Sequence, residues 1–210
     1  MEDLVESARS YAQKAHEGQT RKGKTVPYFS HVSQVGRTLS NYGFEDEVIA
    51  AGYLHDVTED VEDVTLESIE DEFGPTVRRL VDGASEDDKS LSWKERKENT
   101  LEHLEDAPMD EVVVKVSDKI DNVRSMKQEE VAQGEKFWDK FNASYEKQVW
   151  YHTELTEIIG QKVEQDDYDL QGSVEEIYEE LRHEVDQVFG TNCDVAVLSE
   201  DYGAFTDSDI

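Results

Sequence analysis

Apolar side chains recur at helical spacing along most of the chain. Leu4, Val5, Ala8, Tyr11, Ala12 and Ala15 form one stripe, and Val32, Val35, Leu39 and Tyr42 form a second, both at the i, i+3, i+4, i+7 spacing of a helix with one buried face. A third stripe, Leu66, Ile69 and Phe73, is stopped by Gly74 and Pro75, after which Val77, Leu80 and Val81 resume. Two capping boxes mark further starts. Ser92 with Glu95 opens a helix through Leu101 and Leu104, and Ser173 with Glu176 opens one carrying Val174, Ile177, Leu181, Val185 and Val188 up to Gly190. The run from Val48 to Leu54 is apolar on every face and belongs in the interior. One segment dissents: Val112, Val113, Val114 and Val116 are β-branched, and propensity alone favours a strand there. No second convincing strand exists to pair with it, so the segment is predicted to be a helix buried on most sides. The predicted fold class is all-α.

Charge narrows the range of partners. The 210 residues carry 21 basic and 51 acidic side chains, a formal net charge of −30. A surface this acidic repels nucleic acids and anionic lipid heads, so the expected partners are small or cationic. A host rich in salt would account for some of the acidity, although lysine is not scarce. Hydrophobic residues make up 36% of the chain, lean but enough for a packed core. Cys193 is the one cysteine, which excludes an intrachain disulfide, points to a reducing cytoplasm, and leaves nitrogen and oxygen as ligands for any metal. The first ten residues, MEDLVESARS, lack the basic and apolar runs of a signal peptide, and no membrane span is readable. Beyond Arg182 there is no Lys or Arg, and Glu200, Asp201, Asp207 and Asp209 mark residues 191–210 as an acidic, flexible tail on a domain of residues 1–190.

In so acidic a chain, clusters of carboxylates arise by chance, and the histidines are more informative. His55 and Asp56 end the apolar run, and Glu59 and Asp60 fall one helical turn later. Three carboxylates beside an imidazole at the end of a buried helix repel one another and are costly to desolvate unless a cation is present. His31 follows Pro27 and Tyr28 at the start of the second helix, and Asp118 ends the valine-rich helix with Asn122 on the same face. His31, His55, Asp56 and Asp118 would supply two imidazoles and two carboxylates, a set that suits Mn²⁺, Fe²⁺ or Zn²⁺ and leaves room for water and substrate. The alternative is a pair of structural histidines beside a solvated acidic face, and spacing alone leaves it open.

The segment HDVTED at His55 to Asp60, with RKGKTVPYFSH upstream and KVSDKIDNVRSM downstream, resembles the HD-domain hydrolases of the RelA/SpoT type. The likeness covers roughly residues 1–155. It implies a compact helical bundle that removes pyrophosphate from the 3′ position of the alarmone (p)ppGpp. It implies one Mn²⁺ held by His31, His55, Asp56 and Asp118, with Glu59 and Asp60 orienting and deprotonating the attacking water, and Asn122 bonding the nucleotide. Arg21 and Lys22 form the basic island that would meet base and phosphates. Lys89, Lys115 and Arg124 are weaker phosphate candidates, and Lys147 or Tyr151 is a modest candidate for touching substrate. Phe137, Phe141 and Tyr145 fall on one helical edge, which reads as core more than as a stacking platform. His16, His103, His152 and His183 read as structural or exposed. The long bifunctional members have His-Pro where this chain has His31 and Val32, and a His at the position of Asp121, so their detailed contacts need not transfer. The synthetase half is absent, as in the small stand-alone hydrolases. Besides (p)ppGpp, the same centre could serve NADPH, a dNTP or a nucleoside monophosphate, and an HD fold kept as a non-catalytic nucleotide-binding module, or an acidic interaction protein, is the expectation from other classes.

Overall fold

The computed structural model describes residues 3–21, 24–85, 90–134, 137–138, 143–165, 168 and 170–190, with Gln171 described by its backbone alone. The helices among them are α1 (Leu4–Ala15), α2 (Phe29–Asn41), α3 (Asp46–Leu54), α4 (Val57–Asp60), α5 (Leu66–Phe73), α6 (Pro75–Ala84), α7 (Trp93–Asp106), α8 (Met109–Gln133), α9 (Tyr145–Gln165) and α10 (Gln171–Phe189). No β-strand occurs among the described residues; Thr20 and Pro27 form an isolated antiparallel bridge. None of these helices is long and apolar enough to cross a membrane.

The apolar-all-round helix α3 is the centre of the bundle. Its residues from Val48 to Leu54 are all buried, and it packs against α1, α2, α6 and α8. Glycines allow the α2–α3 crossing. A Cβ added at Gly36 would lie 2.4 Å from the Tyr53 ring, and one at Gly52 would lie 2.5 Å from Leu39 Cδ1 and 3.3 Å from Gly36 Cα. Overpacking of this kind costs about 1–3 kcal/mol, against less than about 1 kcal/mol gained in helix propensity over glycine. Gly36→Val should therefore lower the melting temperature by several degrees, at about 2–4 °C per kcal/mol for a chain of this size. An unchanged thermal melt would mean that the crossing tolerates separation.

Helix α8 absorbs the valine run. Val112, Val113, Val114 and Val116 are buried together with Ile120 and Val123, as expected for a helix covered on most sides. Each such side chain contributes about 1.5–3 kcal/mol on burial, which outweighs the helix-propensity deficit of a β-branched residue, under about 0.7 kcal/mol. The helix continues to Gln133, so Asp118 sits in its middle and not at its end. Ser117 Oγ donates to Val35 O at 3.0 Å and fixes α8 against α2 beside Asp118.

The ends of the elements match the sequence pattern in part. Gly74, at φ +89°, separates α5 from α6, which begins on Pro75. Ser92 and Glu95 form the reciprocal capping box of α7, with Ser92 N–H donating to Glu95 Oε2 at 2.8 Å. The Ser173 box is not used: α10 starts at Gln171 with Leu170 at the cap, because the chain enters the helix one turn earlier. Phe137 is buried but precedes α9, so it does not share a helical edge with Tyr145; Phe141 and residues 191–210 lie outside the described residues.

Candidate metal centre

Three segments deliver the candidate ligands to one point. His31 lies in the first turn of α2, His55 and Asp56 occupy the turn between α3 and α4, and Asp118 faces them from α8. One ligand atom each from His31, His55 and Asp118 lie within 4.8 Å of one another. His31 Nε2 is 3.2 Å from Asp118 Oδ1 and 3.4 Å from Asp56 Oδ2, and His55 Nε2 is 3.0 Å from Asp56 Oδ2 and 3.7 Å from Asp118 Oδ1. The expected set of two imidazoles and two carboxylates is thus brought together.

Each imidazole turns the nitrogen that could ligate a cation inwards. His55 Nδ1 faces the carbonyl oxygen of Gly52 at 2.9 Å, which can only accept, so Nδ1 carries the proton and Nε2 presents its lone pair. That buried Nε2 has no hydrogen-bond partner. His31 Nδ1 likewise donates to Asp121 Oδ2 at 2.7 Å, leaving Nε2 towards the carboxylates. A lone pair aimed at anions is unfavourable unless a proton or a metal ion lies between them. Without a metal the proton takes that place. Burial alone would lower the pKa of His55, yet the charge of Asp56 and the nearby Asp118 raise it to about 9. His31 is likewise held well above 6.5, the Asp118, Asp121 and Asp56 carboxylates overcoming its burial. Burial would raise Asp56 and Asp118, but the adjacent His55 and Lys119 charges respectively, with the two imidazoles, hold both well below the usual carboxylate range. The arrangement fits a divalent ion of N/O preference.

A second layer of side chains orients this set. Tyr28 donates its hydroxyl to Asp56 Oδ2 at 2.6 Å, and its pKa is raised by burial and by the Asp56 charge. Asn122 Nδ2 donates to Asp118 Oδ1 at 2.5 Å, and Lys119 Nζ lies 3.0 Å from Asp118 Oδ2. Arg21 reaches Asp121 at 2.6 Å and Asn122 at 3.3 Å from the loop between α1 and α2. Glu59 and Asp60 sit on the short helix α4, separated from α3 by the His55–Asp56 turn, and their amides point back to Asp56 O at 3.2 and 3.0 Å. Lys22 and Lys89 lie outside the described residues.

Other sequence candidates do not converge there. Lys115 is buried and donates to Ala84 O, and Arg124 pairs with Glu180 and Glu184 of α10 at 2.9 Å each. Lys147 is partly buried on α9. His103 and His183 are exposed at the surface, whereas His16 and His152 are buried. Tyr151 is buried with Lys97 Nζ 4.8 Å and Lys119 Nζ 6.0 Å from its ring centre. Burial and then the Lys119 and Lys97 charges push the neighbouring His152 down to about 3. Sequence reasoning missed Tyr28, Lys119 and the contacts of Asp121. The signals were weak: Tyr28 lies three residues before His31, and Asp121 three after Asp118.

The family model described as HD domain matches residues 8–145. The chain belongs to the HD-domain family. All the candidate ligands fall inside that match, while most of α9 and all of α10 of this HD-domain protein lie beyond it. Over 125 residues it is 38% identical to the guanosine-3′,5′-bis(diphosphate) 3′-pyrophosphohydrolase MESH1 of Danio rerio, covering 59% of this chain and 68% of that protein. It is 36% identical over 136 residues to a putative GTP diphosphokinase RSH1 of Oryza sativa, of which the match spans only 15% and 59% of this chain. Among solved structures, a Listeria monocytogenes protein superposes with a TM-score of 0.66 at 33% identity, covering 76% of this chain and 99% of that one. A metazoan SpoT orthologue described as hydrolysing ppGpp superposes with a TM-score of 0.64 at 27% identity, covering 86% and 96%.

Proposed function

We propose that this HD-domain protein is a metal-dependent phosphohydrolase that removes the 3′-pyrophosphate from (p)ppGpp. Water adds to the phosphorus bonded to O3′, the O3′–P bond breaks, and pyrophosphate leaves together with GDP or GTP. The observation that carries the metal-dependent reading is the buried Nε2 of His55, which faces Asp56 and Asp118 without a hydrogen-bond partner. The likeness to MESH1 and to the SpoT orthologue supports the substrate.

In this reading His31, His55, Asp56 and Asp118 hold the ion, with Mn²⁺ favoured and Fe²⁺ or Zn²⁺ accepted by the same donors. A bound divalent ion would lower the pKa of a coordinated water from 15.7 towards 7 and polarise the phosphoryl group. Glu59 and Asp60, one turn beyond Asp56, orient the water and take its proton. Arg21 and Lys22 meet the nucleotide and Asn122 bonds it, while Lys119 adds positive charge next to Asp118, local relief from a net charge of −30. Residues 1–190 form the catalytic domain and residues 191–210 an acidic tail. A cytoplasmic setting fits the single cysteine.

The test is a nucleotide panel with metal-free protein reloaded with Mn²⁺. Pyrophosphate and GDP should appear from ppGpp, and Arg21→Ala should raise KM. Turnover of NADPH, dNTPs or nucleoside monophosphates with ppGpp left intact would transfer the assignment to another phosphorylated nucleotide.

A further inference from the structure

The same carboxylate oxygen of Asp121 touches both halves of the site. Asp121 Oδ2 lies 2.7 Å from His31 Nδ1 and 2.6 Å from an Arg21 terminal nitrogen. The other guanidinium nitrogen of Arg21 donates to Asn122 Oδ1 at 3.3 Å, and the amide nitrogen of Asn122 donates to Asp118 Oδ1 at 2.5 Å. The contacts close a ring: His31, Asp121, Arg21, Asn122, Asp118 and back to His31 Nε2 at 3.2 Å. Asp118, Asp121 and Asn122 stand at i, i+3 and i+4 on one face of α8, which Ser117 locks to α2. The side chains of Arg21 and Asp121 are only 15% and 14% exposed, so water screens the pair weakly.

We propose that Asp121 is a positioning residue that couples the metal ligand His31 to the nucleotide-facing Arg21. The physical reason lies in the number of acceptors. An inward-facing His31 Nε2 requires an acceptor for Nδ1–H, and Arg21 requires one where it crosses α8. A carboxylate serves both donors with charge-assisted bonds, roughly twice as strong as neutral ones. A neutral imidazole at this position, as in the long enzymes that the sequence resembles, has a single acceptor nitrogen and could serve only one. In this chain the orientation of a ligand imidazole and the placement of the cationic arm therefore depend on one side chain. The loop supports the arm: Arg21 N–H donates to Val26 O at 3.0 Å, Tyr28 N–H to Gln19 O at 2.9 Å, and Lys24 pairs with Glu129 at 2.6 Å farther along α8.

The KM arm of the test rests on the proposed nucleotide reading, whereas the metal arm does not. Calorimetric titration of metal-free protein with Mn²⁺ should give a Kd at least about tenfold weaker for Asp121→Asn, within the 10–100-fold range of outer-shell partners. Asp121→Ala, which removes the acceptor altogether, should weaken Mn²⁺ further. Arg21→Ala removes a cation near the centre and should leave Mn²⁺ binding no weaker while raising KM. Asp121→Asn should also raise KM, but not when added to Arg21→Ala, because the arm it positions is then gone. A residue that merely stabilises the fold would not produce that non-additive KM pattern. Unchanged Mn²⁺ affinity in folded Asp121→Asn or Asp121→Ala protein, or additive KM effects of the two sites, would overturn the coupling. Should the unaltered chain leave ppGpp intact, the substrate assignment fails and the Mn²⁺ titrations alone judge Asp121.

Discussion

Asp118→Ala should abolish divalent-metal binding and reduce phosphohydrolase turnover by about 10³-fold or more. The reasoning starts from its place in the fold. Asp118 is 8% exposed in the middle of α8, between the two inward-facing imidazole nitrogens and Lys119. Alanine removes a proposed ligand and leaves His31 and His55 turned towards Asp56. A metal ion in such a site contributes several kcal/mol to the transition state, and about 4 kcal/mol corresponds to 10³ in rate. Chelation of the unaltered protein should cause the same loss, with Mn²⁺ restoring it. Metal titration and pyrophosphate release read the two effects, and a folded variant that still binds Mn²⁺ and turns over would remove Asp118 from the centre.

The same cluster should make metal loading depend on pH. In the metal-free protein the Asp56 and Asp118 charges outweigh burial and push the His55 imidazole up to about 9 from its ordinary 6.5. The folded-state pKa is raised, so the imidazolium stabilises the metal-free fold fully below about pH 6.5 and ceases to do so as pH rises through about 9. A metal ion must displace that proton, so its apparent affinity should strengthen across this interval. The melting temperatures of metal-free and Mn²⁺-loaded protein should therefore diverge as pH rises.

How far the centre was legible in the sequence depended on the kind of contact. His55 and Asp56 are readable because they end the fully apolar run of α3, where charge demands compensation. The valine segment is readable as a helix only through the absence of a partner strand, since burial overrides β-branched propensity. The length of α8 is not readable from that run, because residues past Val123 form a helix with one wet face and few apolar positions. Asp121 shows in the sequence only as a departure from the long enzymes. Its bonds to His31 and Arg21 span 90 and 100 residues, and no local periodicity encodes a contact that the crossing of α2 with α8 creates. The same holds for Tyr28 and Asp56, and for α10, whose Glu180 and Glu184 neutralise a phosphate candidate, Arg124.

Glu59→Gln should leave Mn²⁺ affinity unchanged and lower kcat by about 10² or more, the range for losing a general base. The substitution keeps size and hydrogen-bonding reach while removing the capacity to take a proton. Helix α4 is also anchored at other points. Gln19 Nε2 donates to Asp60 O at 2.9 Å, His16 Nδ1 donates to Gln19 Oε1 at 2.7 Å, and Thr58 Oγ1 meets Ser85 Oγ at 3.3 Å. The effect on turnover should fall on kcat and not on KM, the signature of a contact made in the transition state. Paired with Asp118→Ala, the variant would separate the two roles proposed for these carboxylates, one holding the cation and one moving the proton. A Glu59→Gln enzyme that binds Mn²⁺ and retains turnover would assign the proton to Asp60 or to the substrate's own phosphate, and would leave the ligand set intact.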